Sequence, residues 1–267
     1  MAQQYKIGFL GFGNMAQAIL SGMLEHRLCD AQALCVYDTD QSKISAGALQ
    51  YGFNTASSMC ELEAFADIIF LCVKPNVLRQ IIGKWQGSKK AFVSIAAGIP
   101  FEFLSSALGE DARILRVMPN TPLMVKKGAV CMQAPTDLTK QEFAFIKMVF
   151  EQLGLAVTVD AELMDCVTGI SGSGPAYVYY FIRAMVQAGI EHGLTEETAK
   201  ALALQTVDGA VEMIRKSSKS ITDLISDVCS PGGTTLEAIQ VFDERGMDQT
   251  IKDGITACIK KSVLLSK

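Results

Sequence analysis

Apolar positions follow two regimes along the chain. Up to about residue 160, short and almost wholly apolar runs alternate with stretches of helical periodicity. Lys6-Ile7-Gly8-Phe9-Leu10 is followed by a predicted helix from Asn14 to about Arg27, then Leu34-Cys35-Val36-Tyr37, then a helix from Asp40. Further strands are predicted over 68–73, 92–95 and 114–117. Strands without a polar face must be covered on both sides, and this strand-helix alternation predicts a parallel, doubly wound α/β sheet. Gly128-Ala129-Val130-Cys131, a helix over 140–152 and a last run over 155–159 continue the pattern, with the last run extending the sheet edge.

From Ala161 the periodicity is helical throughout, with helices expected over 175–192, 195–216, 221–228, 235–245 and 247–265. Pro175 suits a first helical position, and Thr195 followed by Glu196 and Glu197 starts a helix by capping and dipole logic. The change of regime predicts two domains, 1–160 and 161–267. In the second, Ala201-Leu202-Ala203-Leu204 through Val211 is apolar or small on most faces. Such a helix is either the core of its domain or packs against another subunit.

Gly11-Phe12-Gly13-Asn14-Met15-Ala16 lies directly after the first strand and opens the first helix. It fits G-x-G-x-x-G/A, in which Gly11 permits a tight turn, Gly13 admits a pyrophosphate to the backbone and small Ala16 lets the helix pack closely. Dinucleotide binding is therefore expected. Asp38, ending the second strand, stands where a carboxylate would accept from an adenosine ribose hydroxyl; alternatively Asp38 or Asp40 is the N-cap of the next helix. Lys43 is near enough in sequence to offset the charge, so NADPH and NADH both remain candidates.

Composition narrows the function by exclusion. A net charge of -4 without a basic stripe argues against nucleic acid, and no apolar run approaches the roughly 20 residues of a membrane span. The opening MAQQYKIGFLGFGN turns glycine-rich before a signal-peptide apolar region is complete, giving an expected cytoplasmic location. Eight cysteines without a C-x-x-C pair read as reduced, mostly buried thiols. With only His26 and His192, both at predicted helix ends, the chain lacks material for a histidine-rich metal site or a Ser-His-Asp triad.

Five further segments form an ordered set: Val73-Lys74-Pro75, Ser94-Ile95-Ala96-Ala97-Gly98-Ile99, Arg116-Val117-Met118-Pro119-Asn120-Thr121-Pro122, Ser171-Gly172-Ser173-Gly174-Pro175-Ala176-Tyr177 and Ser230-Pro231-Gly232-Gly233-Thr234-Thr235. With the glycine loop, they resemble the pyrroline-5-carboxylate reductase family over essentially the whole chain. The resemblance implies an N-terminal Rossmann domain and an all-helical C-terminal dimerisation domain that interleaves with its mate, often within a larger ring of dimers. It implies NADPH or NADH as cofactor, and 1-pyrroline-5-carboxylate as the substrate whose imine carbon accepts the hydride to give L-proline.

By the same resemblance, Val73, Lys74, Pro75, Ala96, Ala97 and Gly98 border the cofactor, and Asn120 faces its nicotinamide side. On their residues alone, Lys74 is equally an ordinary strand-end charge and Asn120 a turn-former bonded to its own backbone. Where many relatives carry Ser or Asn, often followed by Arg, this chain has Asp38-Thr39, which sets NADP preference in question. With the resemblance, the Ser230–Thr235 turn offers helix-start amides to a substrate carboxylate, with Gly232 and Gly233 allowing approach and Ser230 adding a hydroxyl; on its six residues alone it reads as a capping turn and nothing more. Thr234 stands at the helix start, and Thr235 is the candidate for the hydrogen bond to the ring nitrogen. Interleaved helices would carry this turn to the partner chain's cleft.

Two rival readings have sequence consequences. A β-hydroxyacid dehydrogenase places a catalytic lysine on the helix after its glycine turn, whereas this chain has no lysine between Lys147 and Lys200. A non-catalytic dinucleotide-binding protein of the same fold is the other rival, against which the intact Ser230–Thr235 turn argues for a kept substrate pocket.

Overall fold

The computed structural model describes residues 5–266; the first four residues of the opening stretch and Lys267, which ends the second expected domain, lie outside them. Eight strands form one sheet in the order β3-β2-β1-β4-β5-β6-β7-β8. They are β1 Ile7–Leu10, β2 Leu34–Tyr37, β3 Asn54–Thr55, β4 Ile68–Leu71, β5 Ala91–Ser94, β6 Arg113–Met118, β7 Gly128–Ala134 and β8 Gly154–Asp160. The first part of that order is the doubly wound arrangement, whose direction of winding reverses between β1 and β4.

Six helices accompany the strands: α1 Asn14–Glu25, α2 Gln41–Tyr51, α3 Met59–Phe65, α4 Pro75–Ile81, α5 Phe101–Leu108 and α6 Lys140–Glu151. They cover both faces of the sheet, and each face has its own core. On one, Phe9 stacks on Phe70 with centroids 5.0 Å apart, packed with Ile19, Leu20 and Met23 of α1. On the other, Trp85 packs on Phe92 beside Leu62, Leu78 and Leu104, and its indole N–H donates to the Met59 carbonyl at 3.2 Å. Each such side chain contributes about 1.5–3 kcal/mol by leaving water, which is why these strands are apolar throughout.

One expectation of the pattern is corrected: β7 runs antiparallel to β6, so the sheet is predominantly rather than wholly parallel. The segment 119–127 between them is too short for the crossover of a dozen or more residues that a parallel partner needs. β8 returns to parallel pairing on β7 through α6 and forms the edge, with Leu155 and Val157 exposed.

After β8 come a 3-10 turn at Ala161–Leu163, a short helix α7 at Met164–Val167 and a π-turn at Thr168–Gly172. The chain divides into two compact units, one running through Ser173 and including the segment from Cys258, the other comprising Gly174–Ala257. The second unit carries α8 Gly174–Glu191, α9 Glu196–Lys216, α10 Ile221–Val228, α11 Thr234–Glu244 and the first part of α12 Met247–Leu265. Among its described residues only Ala199 and Ala203 are buried, while Tyr180 is 67% and Leu202 56% exposed. This helical unit therefore has little interior of its own.

His26 ends α1 as its C-cap, and the His192 ring is bonded at 2.8 Å to the Ala188 carbonyl at the end of α8. All eight cysteines are free; Cys29, Cys35 and Cys131 are buried, Cys60 and Cys166 exposed, and the other three half-buried. The expected burial of most thiols is thus realised for the strand cysteines and Cys29 but not for the helical ones.

Candidate active site

The glycine loop joins β1 to α1 at the sheet's switch point. The Gly11 N–H donates to the Tyr37 carbonyl at 2.7 Å, and Gly11 has φ +94°, a conformation that favours glycine. A side chain there would also meet Val73 Cγ1 at 2.8 Å, so Gly11 is required by the chain's own packing against the end of β4. Gly13 differs on both counts. Its φ of -73° suits any residue, and a Cβ built on it meets nothing within 4 Å. As N-cap of α1 it makes no side-chain hydrogen bond, and the first turn holds no acidic residue. The exposed Asn14 and half-buried Met15 begin that turn. An open, uncapped helix start beside a residue that lacks a side chain for no internal reason fits a dinucleotide pyrophosphate.

Phe12 contributes through its backbone. Its ring is buried edge-on against Phe53 at 5.1 Å, and its N–H donates to Asp38 Oδ2 at 2.7 Å. Asp38 Oδ1 accepts the Asp40 N–H at 3.0 Å. The N-cap of α2 is Asp40, not Asp38: Asp40 Oδ1 accepts from the Lys43 N–H at 3.1 Å. The Ser42 hydroxyl, then the Lys43 N–H, hold the Asp40 carboxyl below its ordinary range.

The other cofactor candidates lie at the carboxyl ends of β4, β5 and β6. Lys74 is exposed and serves as N-cap of α4, its carbonyl accepting from Leu78 N–H at 2.9 Å, with Pro75 at the first helical position. Ala96, Ala97 and Gly98 line a small cleft together with Ser94, Arg116, Val117, Met118, Met164 and Thr168. Gly98 is also held from behind: its carbonyl accepts from Arg79 Nη2 at 3.1 Å, and the same nitrogen donates to the Leu265 carbonyl at 3.0 Å. Asn120 is 8% exposed, and both ends of its amide are engaged, with Ser171 and with Ala129.

Six of these cleft residues are not among the candidates read from the sequence, and two of the six, Ser94 and Arg116, are polar and stand inside the motifs given above. Ser94 is 1% exposed, and its hydroxyl has no hydrogen-bond partner among the described residues. Arg116 donates to Gln133 Oε1 at 3.2 Å, and burial lowers its pKa from the ordinary guanidinium value. Their signal was a polar residue in an otherwise apolar strand.

In the helical unit, α11 starts at Thr234 with Gly233 as an N-cap that makes no side-chain bond. Gly232 has φ +69°, and the Gly233 N–H donates to the Ser230 carbonyl at 2.9 Å, closing the turn. A Cβ on Gly232 would meet nothing within 4 Å, whereas one on Gly233 would stand 2.5 Å from Ser230 Oγ. Thr234 is exposed and Thr235 half-buried in the first turn, and among the described residues neither hydroxyl, nor that of Ser230, makes a hydrogen bond. The turn therefore leaves the first amides of α11 without a side-chain cap.

A doubly wound sheet with an open glycine loop at its switch point, followed by a helical unit that presents a second uncapped turn, defines a dinucleotide-dependent oxidoreductase of two parts. Comparison with known proteins identifies which one. Residues 161–265 match the family model described as pyrroline-5-carboxylate reductase dimerisation, and residues 6–98 match the one described as NADP oxidoreductase coenzyme F420-dependent. The chain is 37% identical to the pyrroline-5-carboxylate reductase of Escherichia coli, over 98% of both chains. It is 34% identical to that of Arabidopsis thaliana, over 100% of this chain and 97% of the other. Among solved structures, a Plasmodium falciparum pyrroline carboxylate reductase with NADP bound superposes with a TM-score of 0.91 at 29% identity, covering all of both chains. The chain belongs to the pyrroline-5-carboxylate reductase family.

Proposed function

We propose that this chain reduces 1-pyrroline-5-carboxylate to L-proline, the last step of proline biosynthesis, using NAD(P)H. The carrying observation is likeness to such reductases across both halves of the chain at once. NAD(P)H supplies a hydride; the imine carbon receives it, and the nitrogen, protonated beforehand, becomes the amine of proline. A protonated imine is already electrophilic, so the protein's task is orientation, which is worth about 7–11 kcal/mol of barrier at best.

The residues divide this task. Gly11, Phe12, Gly13, Asn14 and Met15 form the pyrophosphate turn, and Asp38 receives the adenosine ribose. Val73, Lys74, Pro75, Ala96, Ala97, Gly98 and Asn120 shape the cofactor's remaining wall. Ser230, Gly232, Gly233 and Thr234 hold the substrate carboxylate, and Thr235 bonds the ring nitrogen. The cofactor is bound by the domain 1–160, while the domain 161–267 binds substrate and pairs the subunits. The exposed apolar side chains of α8 to α11 support a homodimer that completes their core, and dimers of this kind assemble further into a ring. No helix among the described residues is long and apolar enough to cross a membrane. As an enzyme of amino-acid biosynthesis it works in the cytoplasm.

The deciding assay is proline-dependent reduction of NAD(P)+ at alkaline pH. Turnover with proline and none with 3-hydroxyisobutyrate is expected. The opposite pattern would make the chain a β-hydroxyacid dehydrogenase, and no turnover with either would make it a binding protein.

A further inference from the structure

The Asp38 carboxylate is fixed by backbone, not by a counter-charge. One oxygen takes the Phe12 N–H of the glycine loop at 2.7 Å, the other takes the Asp40 N–H of the following turn at 3.0 Å, and the Asp38 carbonyl is held by Gln41 Nε2 at 3.0 Å. A carboxylate has about four acceptor positions, so two remain for outside donors. It stands at the carboxyl end of β2 against the glycine loop, where a doubly wound fold places the adenosine ribose.

Along the segment that Asp38 opens, the charges have one sign in excess. From Asp38 to Tyr51 the ionisable side chains able to carry a full charge at neutral pH are Asp38, Asp40 and Lys43. Lys43 caps with its N–H onto Asp40, and its charge acts on that residue. No arginine stands in this segment to grip a phosphate in the bidentate way that guanidinium allows. A ribose 2'-hydroxyl finds an aligned acceptor here, and a 2'-phosphate finds a fixed negative charge.

We propose that Asp38 makes this enzyme prefer NADH over NADPH, with the Phe12 and Asp40 amides holding its carboxylate in the discriminating position. This rests on the reading of the glycine loop as the dinucleotide site.

The test is equilibrium binding of NADH and NADPH, without pyrroline substrate, to the full chain and to Asp38→Asn, followed by nicotinamide fluorescence. The wild type is expected to bind NADH at least about tenfold more tightly, a difference of about 1.4 kcal/mol. Asp38→Asn keeps an oxygen for the Phe12 N–H but removes the charge, so the ratio should collapse toward one, mainly by a gain in NADPH affinity. Because both affinities are measured on one preparation, partial unfolding cancels from the ratio. Equal or tighter NADPH binding by the wild type overturns the proposal, as does an unchanged ratio in Asp38→Asn. Binding of neither nucleotide overturns it together with the dinucleotide site itself, an outcome recognisable because both affinities vanish.

Discussion

The side-chain amide of Asn120 donates to the carbonyl of Ser171 at 3.0 Å while its oxygen accepts the Ala129 N–H at 2.9 Å. One side chain thus joins the β6–β7 connection, the start of β7 and the π-turn. It caps no turn of its own, since the 3-10 turn at Thr121–Val125 takes no side-chain bond from it.

Asn120→Ala would leave the Ser171 carbonyl and the Ala129 N–H without these partners in a partly buried place. The expected cost is about 1–3 kcal/mol, read as a fall in Tm of about 2–10 °C in a chain of this size. A Tm equal to the wild type's would show that water replaces both bonds and that the amide is not what ties these segments.

Glu142 is the second buried anchor. Arg113 grips it through Nη2 at 2.7 Å and Nε at 3.0 Å, and it closes a capping box with Thr139 at the start of α6. Burial pushes its pKa up, but the Arg113 bonds and those from Thr139 outweigh this and hold it below the ordinary carboxylate value. A carboxylate depressed in the folded state contributes stability that is complete above its unfolded pKa, about 4.3, and is lost as pH falls through the lower folded value. Glu142→Gln should cost about 2–3 kcal/mol at pH 7, below the 3–5 of a fully buried pair because Arg113 is partly exposed. Denaturant titrations should show the difference shrinking below about pH 4; a pH-independent difference would contradict the ion-pair assignment.

Gly13→Val and Thr235→Ala should fail in different steps. The Gly13 position is open and its φ ordinary, so the valine variant should fold and melt near the wild type. Its NAD(P)H affinity should fall more than about tenfold, or about 1.4 kcal/mol. Thr235→Ala should keep nucleotide affinity and lose about 10- to 150-fold in kcat/KM, the worth of one hydrogen bond to a charged group. Normal nucleotide binding by the first variant, or normal turnover by the second, would remove that residue from its role.

Thiol reactivity should follow burial. Burial pushes the Cys29, Cys35 and Cys131 thiols up to about 11. With iodoacetamide at pH 8, exposed Cys60 should alkylate in the native protein while Cys29, Cys35 and Cys131 react only after denaturation, as resolved by peptide mass spectrometry. Early labelling of Cys35 would mean that β2 opens locally.

What the sequence by itself determined is what short-range physics writes. Apolar runs without a polar face gave β1, β2, β4, β5 and β6, and helical periodicity gave α1, α6 and the helices from α8 on, close to their observed ends. The conformations of the loop at Gly11 and Gly13 and of the turn from Ser230 to Thr235 were legible because they are local: a positive φ, an uncapped first turn, a missing side chain. β3 has two residues and α3 and α4 seven each, too short to establish a period, and they were not foreseen.

Only tertiary structure decided how residues distant in sequence meet. It turned β7 antiparallel, tied Asn120 to Ser171, seated Glu142 on Arg113 and set the Asp38 carboxylate against the Phe12 N–H. No periodicity encodes these pairings, because a hydrogen-bond partner across the fold is fixed by where the packed strands end rather than by the residues beside it. Asp38 shows the division: its place after β2 could be read along the chain, but the two amides that orient its carboxylate could be seen only after folding.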